Sequence, residues 1–327
     1  MAQTATSTRP MNVVVDRDSP AAKIYREWAS VIAPGLPPTP SHDLVYHGGK
    51  TIAHLTFTNF YVGGQQAWQP NDIQSIDRAL AAAMSDRNLN NVMVQYFTGG
   101  SITSNVLPST VLPGPPPATV DQTDVESMVG SLYSNGQLTG ADLTTTVFNL
   151  MLPHGTVLSD QSGGAQIAPP PHGEHHSTTL PKDQADSLHG LGGYHGSIHI
   201  SDPAGAAQTV YYAVGVYSER RPDGTTNGIP VFDAPWKNVV ATFYHELNEA
   251  RTDADVEDAV KAGNGSSLLG WVSKEGEECG DFPVFEANPL TQVFKEVPLT
   301  GGNGTVPIQF MYSNAVHGPE GPIPNPH

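Results

Sequence analysis

The hydrophobic residues of this chain follow two different spacings, and each spacing predicts a different kind of element. Stretches rich in β-branched and aromatic residues predict strands, whereas apolar residues three and four positions apart predict helices that bury one face. The predicted elements are, in chain order, a strand at 50–62, a helix at 71–86, a strand at 91–97, a helix at 123–132, strands at 145–152, 194–200 and 209–217, a helix at 233–253 and a strand at 306–312. Their order favours an α/β or α+β fold, in which a layered mixed sheet carries helices on its faces.

Polar residues indicate where two of the predicted helices begin. Thr123 is followed three positions later by Glu126, which is the capping-box pattern. Asp233 is a candidate cap for the long helix at 233–253, and Pro235 suits a first helical turn because that position needs no backbone N–H donor.

Two segments interrupt the pattern and set the expected domain boundaries. Residues 1–40 are polar and proline-rich at both ends, which predicts a partly disordered arm around a short helix-like piece at 21–31. Residues 155–190 predict a flexible surface insertion, although their proline- and histidine-rich tract at 169–176 also fits a metal-binding reading. The remaining chain, 41–327, is predicted to form a single metal-binding domain, and it is loop-rich because the chain holds 33 glycines and 29 prolines.

Charge and cysteine content narrow the classes of partner and site. The net charge of −17 repels phosphate backbones and anionic lipid, so we expect neither nucleic acid nor a membrane as a partner. A single cysteine, Cys279, excludes an intramolecular disulfide, and 13 histidines leave histidine and carboxylate as the metal ligands. The first ten residues lack the apolar core of a signal peptide, which is expected of a cytoplasmic chain or one secreted without, or trimmed of, its signal.

The candidate chemistry lies on the long helix, in the sequence His245-Glu246-Leu247-Asn248-Glu249. His245 and Glu249 are four residues apart and therefore lie one turn from each other on one helix face. This is the geometry of the two helical ligands in an H-E-x-x-H zinc enzyme, with Glu249 in place of the second histidine. Zinc accepts both donor types, and the added carboxylate also suits manganese or calcium. Glu246 is then the candidate general base that takes a proton from water.

A third ligand is expected from the carboxylate-rich segment 270–281. Glu278, 29 residues beyond Glu249, is the candidate, and Asp281 is either an acceptor for His245 or a ligand itself. The pattern H-E-x-x-E also occurs on ordinary exposed helices, so solvated carboxylates without any metal are the alternative. Cys279 lies among these carboxylates, which predicts a raised pKa and a poor nucleophile.

Five motifs in order resemble the phosphate-induced protein 1 family, the EXORDIUM-like proteins of plants and microbes. They are Leu44-Val-Tyr-His-Gly-Gly49, Gly193-Tyr-His-Gly196, the helix from His245 to Asp253, Gly276-Glu-Glu-Cys-Gly-Asp281 and Gln309-Phe-Met-Tyr-Ser-Asn-Ala315. The similarity runs from about residue 44 to 316 and departs from the family in its missing cysteines and in Tyr312, where a tryptophan is usual. The family has growth and cell-wall roles without a settled biochemical activity, so the resemblance implies a site more firmly than a reaction.

These observations predict a zinc-dependent hydrolase of the metallopeptidase type with a zincin-like active-site helix. His245, Glu249 and Glu278 would hold the ion, and His195 or Tyr312 would stabilise the oxyanion, His195 being also a possible ligand. The substrate would be a peptide or another small carbonyl compound, with the strand at 209–217 as a candidate edge for an extended peptide. The alternative is a non-catalytic binding or signalling protein with the metal as a structural staple, which is favoured if His195 or Asp281 completes the ligand set.

Overall fold

The structure of the protein is a computed structural model that describes residues 13–16, 36–160, 185–202, 204–256 and 268–327. The helix-like piece expected at 21–31 and the histidine-rich tract at 169–176 lie outside the described residues.

Helices and strands alternate through most of the described chain. The α-helices are α1 Pro70–Ser85, α2 Arg87–Met93, α3 Gln122–Ser134, α4 Pro235–Thr252 and α5 Asp281–Glu286. The strands are β1 Val13–Val15, β2 Val45–Tyr46, β3 His54–Tyr61, β4 Thr103–Val106, β5 Thr110–Val111, β6 Thr119–Val120, β7 Thr146–Met151, β8 Val157–Leu158, β9 Leu191–Ser201, β10 Ala207–Gly215, β11 Glu219–Arg220, β12 Thr226–Asn227, β13 Trp271–Val272, β14 Phe294–Pro298, β15 Thr305–Gln309, β16 Met311–Ser313 and β17 Gly318–Glu320. Short 3-10 helices lie at Pro40–His42, Gln65–Ala67, Val94–Tyr96, Ser187–His189 and Leu290–Gln292.

A seven-stranded mixed sheet lies at the centre of the fold. Its strand order is β1-β9-β10-β7-β3-β4, and β5 also pairs with β3. Strands β10, β7, β3, β4 and β5 run parallel, whereas β9 is antiparallel to β10 and β1 is antiparallel to β9. The predicted layered mixed sheet is therefore confirmed.

Helices cover both faces of this sheet. Alternate side chains of a strand point to opposite faces, so one strand contributes to two separate cores. On β10, Tyr211 and Ala213 belong to the hydrophobic core that includes α1 and α4. Tyr212 and Val214 belong to a second core, which includes α3. Helices on both faces make a three-layer arrangement with β10 at its middle.

The predicted helices form, but their caps differ from the expected ones. In α3 the capping box is made by Asp121 and Asp124, not by Thr123 and Glu126. Helix α4 begins at Pro235 as expected, although its N-cap residue is Ala234 and no side chain caps it. Asp233 instead pairs with the Lys237 ammonium at 2.7 Å. The Asp233 side chain therefore forms an ion pair and does not cap the N-terminus of α4.

The strand predicted at 91–97 is wrong, because that segment is mostly helical. It continues α2 into the 3-10 helix Val94–Tyr96. Asp86 caps α2 by accepting hydrogen bonds from two backbone amides. The buried residues Leu89, Val92, Met93 and Tyr96 follow a helical spacing that the strand propensity of the segment obscured.

Three expectations about surface segments need correction. The expected peptide-binding edge at 209–217 is wrong, since β10 is hydrogen-bonded to β9 on one side and β7 on the other. Within the surface insertion expected at 155–190, the described residues Leu158 and Ala185 are fully buried, so these positions do not lie at the surface. Within the arm at 1–40, Val13–Val15 adds strand β1 to the edge of the sheet.

Helix α4 is buried on all sides. Residues 238–252 are all buried. The helix packs against β9 and β10 of the sheet, and also against α1 and β15. The single apolar stripe of this helix predicted burial of one face only. The structure also buries the polar residues of α4, which the sequence did not indicate.

Candidate metal centre

Helix α4 carries His245, Glu246 and Glu249 into the interior, and all three side chains are fully buried. The alternative of an exposed helix with solvated carboxylates is therefore wrong. Buried ionisable groups need partners or a metal, because removing a charge from water is costly. The distances around these three side chains show which partners they have.

The loop before α5 and the first residue of α5 bring two further carboxylates to α4. Glu278 and Asp281 are buried, and the Glu278 backbone N–H donates to Asp281 Oδ2 at 3.0 Å. The Gly280 N–H donates to Glu249 Oε1 at 3.0 Å and so joins this loop to α4. A Cβ at Gly280 would lie 2.4 Å from His245 Nδ1, so only glycine allows this close approach.

One group of ligand atoms is formed by His245, Glu249 and Asp281, whose atoms lie within 4.8 Å of one another. His245 Nε2 lies 3.0 Å from Glu249 Oε2 and 4.0 Å from Asp281 Oδ1. None of these three atoms has a hydrogen-bond partner in the described chain. They are therefore close together but not satisfied by one another.

Gln309 fixes the orientation of the His245 ring. Its Nε2 donates to the Gly280 carbonyl at 2.6 Å, which leaves Oε1 to accept from His245 Nδ1 at 2.9 Å. Because Oε1 can only accept, a proton of His245 is held on Nδ1, and Nε2 faces the carboxylates. This is how proteins commonly hold a metal-ligating histidine.

A second group is formed by His195 of β9 with Glu246 and Glu249, again within 4.8 Å. His195 Nδ1 lies 3.5 Å from Glu246 Oε2 and 3.8 Å from Glu249 Oε2. His195 Nε2 lies 3.0 Å from the Asp253 carbonyl, which only accepts, so the proton is on Nε2. Glu278 Oε1 is 3.6 Å from that nitrogen. Glu249 is shared by both groups.

Burial and mutual repulsion dominate the electrostatics of the cluster. Burial, followed by the charge of Glu249, raises the pKa of Glu246, Glu278 and Asp281 well above its usual range. Burial also lowers the pKa of His195 to about 4, so this histidine is neutral at pH 7. As predicted, the pKa of Cys279 is raised, first by burial and then by Glu249.

The donor set and spacing of the first group fit a metal ion. One histidine nitrogen with two carboxylate oxygens is an accepted set for zinc and manganese. Two zinc ligands at their usual bond lengths and a tetrahedral angle lie about 3.3 Å apart. The 3.0 Å between His245 Nε2 and Glu249 Oε2 is close to that separation.

The predicted site residues fall into two sets. His195, His245, Glu246, Glu249, Glu278 and Asp281 come together in the cluster, with Asp281 beside His245 and Glu278 beside His195. The Tyr312 hydroxyl instead donates to the Thr39 carbonyl at 2.6 Å and contacts Asp43 Oδ1 at 3.0 Å. These two partners already engage the hydroxyl group that was expected to stabilise an oxyanion.

Sequence analysis assigned no role to Gln309 or to the Asp253 carbonyl, which orient the two histidines. Both residues belong to motifs of the family resemblance, and that position was the only available signal. A third group of three residues lies apart from the cluster, where His42, Glu275 and Glu277 have ligand atoms within 4.8 Å of one another. There His42 Nδ1 is already paired with Glu277 Oε2 at 2.8 Å.

Comparisons of the chain with family models, with curated proteins and with solved structures found no match. Among the described residues, no helix is both long and apolar enough to cross a membrane.

Proposed function

We propose that this protein is a metal-dependent hydrolase of the metallopeptidase type, with zinc as its ion and a peptide or another small carbonyl compound as its substrate. The observation that carries the proposal is the convergence of His245 Nε2, Glu249 Oε2 and Asp281 Oδ1 in the interior, without hydrogen-bond partners in the described chain. The EXORDIUM-like assignment is part of the proposal, since its motifs supply these residues.

In this proposal His245, Glu249 and Asp281 hold the ion, and Glu278 is a third carboxylate beside them. A bound divalent ion would polarise a carbonyl group and lower the pKa of water. Glu246 follows His245 on α4, and neither of its carboxylate oxygens has a hydrogen-bond partner in the described chain. Glu246 is thus available to take a proton from the attacking water.

The second candidate is a non-catalytic binding or signalling protein in which the metal stabilises the fold. One observation favours it: the ligand residues are at most 3% exposed, which leaves little access for a substrate. A catalytic zinc keeps one position open for water or substrate, whereas a structural zinc has four protein ligands.

The first experiment measures metal content by plasma mass spectrometry on untagged protein purified without added metal. We expect at least one ion per chain in the wild type and loss of that ion in His245→Ala. His47→Ala, at an exposed histidine, is the matched control and should keep the metal. Absence of metal, with no uptake when zinc or manganese is added, would refute both candidates.

A second experiment separates the two candidates. Metal-loaded wild type and Glu246→Gln are assayed on a panel of peptides and esters. The hydrolase proposal expects turnover by the wild type and a loss of roughly 10²–10⁴-fold in Glu246→Gln, which keeps the ion at His245. Full turnover by Glu246→Gln would refute the role of Glu246, and no turnover by the loaded wild type would favour the structural metal.

A further inference from the structure

We infer that the cluster binds a second divalent cation, held by His195, Glu246 and Glu249 next to the ion at His245. The inference rests on the proposed metal binding and deepens it, because it assigns a two-ion centre to the same site. The two groups have the same donor set, one histidine with two carboxylates, so one kind of ion, zinc or manganese, suits both.

The side chain of Glu246 is the first observation behind this second position. It is fully buried, and neither of its oxygens has a hydrogen-bond partner among the described residues. Its Oε2 lies 3.5 Å from His195 Nδ1, so the carboxylate is directed at the imidazole. With Oε2 as a ligand, Oε1 still remains to accept a proton from water.

The orientation of His195 is the second observation. Its Nε2 donates to the Asp253 carbonyl at 3.0 Å, so the Nδ1 lone pair faces Glu246 and Glu249. A metal-ligating histidine typically donates its other N–H group to a carbonyl or carboxylate in this way. The two histidines of the cluster are therefore held alike, His195 by a backbone carbonyl and His245 by Gln309.

Glu249 is placed to bridge the two ions. Its Oε2 is 3.0 Å from His245 Nε2 and 3.8 Å from His195 Nδ1, and it thus belongs to both groups. Its Oε1 accepts from the Gly280 N–H, which fixes the plane of the carboxylate. Two-ion hydrolytic centres have ions about 3.5–4 Å apart, a separation that a shared carboxylate can span.

The four acidic side chains of the cluster, when ionised, match the charge of two divalent ions. Glu246, Glu249, Glu278 and Asp281 are buried together, and the described chain offers them no ion pair with lysine or arginine. The neighbouring Arg251 is bonded to Asn90, Thr103 and Ser104 instead. One divalent ion neutralises two of the four carboxylates, and a second neutralises the other two.

The test is the number of ions bound by the full chain after loading with excess zinc and desalting. We expect two per chain in the wild type, one in Glu246→Gln, and two in Glu219→Gln, whose buried carboxylate pairs with His154 outside the cluster. One ion in both wild type and Glu246→Gln would overturn the inference but leave the proposed function intact. No ion in the wild type would overturn both.

A further variant excludes the separate group around His42. If Glu277→Gln loses an ion while Glu246→Gln keeps two, the second ion lies at His42, Glu275 and Glu277, and the inference is wrong. Manganese loading of the wild type gives a readout that does not depend on the folding of a variant. Two ions sharing Glu249 should give an exchange-coupled electron paramagnetic resonance spectrum, and two isolated signals would overturn the shared ligand.

Discussion

Replacing Gln309 by leucine tests the geometry of the metal centre without touching a proposed ligand. The Gln309 amide joins His245 Nδ1, at 2.9 Å, to the Gly280 carbonyl, at 2.6 Å. Leucine nearly keeps the volume of the side chain but removes both hydrogen bonds. The proton of His245 is then no longer held on Nδ1, so the lone pair of Nε2 is no longer fixed toward Glu249 and Asp281.

The expected effect has two parts. Loss of the group that orients a ligating histidine typically weakens metal binding by about 10–100-fold, or about 1.4–2.7 kcal/mol. The buried His245 N–H and Gly280 carbonyl also lose their partners, at about 1–3 kcal/mol each in the free energy of unfolding. For 327 residues the unfolding entropy is about 0.7 kcal/mol/K, so this second part lowers the Tm of the metal-free protein by about 3–9 °C.

The assay is competition for zinc with a chromophoric chelator, together with thermal unfolding with and without metal. Gln95→Leu is the matched control, since Gln95 also joins two segments of the chain, donating to the Val92 carbonyl and Ser313 and accepting from Ala315. We expect the control to lower Tm without weakening zinc binding. A zinc affinity of Gln309→Leu within twofold of the wild type would refute the reasoning.

Three further predictions follow from the contacts of the cluster and its surroundings. Gly280→Ala should weaken metal binding and lower Tm, because its Cβ would clash with His245. Gly99→Ala, which has open space around it, should change neither, and equal behaviour of the two variants would contradict the prediction. In chelator-treated protein, burial raises the pKa of Asp253 from 3.8 to about 7. The folded state then binds more protons than the unfolded state, so Tm should fall as the pH rises from 6.5 to 8, and a rising Tm would count against it. Tyr312→Phe removes the hydrogen bonds to the Thr39 carbonyl and Asp43, so it should lower the free energy of unfolding by about 2 kcal/mol and leave metal content and turnover unchanged. Loss of turnover in this variant would support a catalytic role for Tyr312.

The spacing of hydrophobic residues predicted most of the described helices and strands, because each kind of element has its own spacing in the sequence. The strands at 145–152 and 194–200 and the helices at 71–86 and 233–253 formed within a few residues of their expected ends. The strand predicted at 91–97 does not form. Its valines and aromatic residues favour a strand, but the apolar residues of the segment have a helical spacing. Capping by Asp86 and burial against the core favour the helical conformation of that segment.

The amino-acid sequence by itself determined that His245 and Glu249 share one helix face, because four residues make about one helical turn. Only the tertiary structure decided that this face is buried, and that Asp281 joins His245 while His195 joins Glu246. These contacts depend on how the sheet, α4 and the loop before α5 pack together.

Distance along the chain explains what sequence analysis missed. Gln309 lies 64 residues from His245, and the Asp253 carbonyl lies 58 residues from His195. No local period connects such positions, so the orienting groups are set by the packing of β15 and β9 against α4. The sequence thus determined the ligand types and one turn of helix, and the packing determined which of them meet.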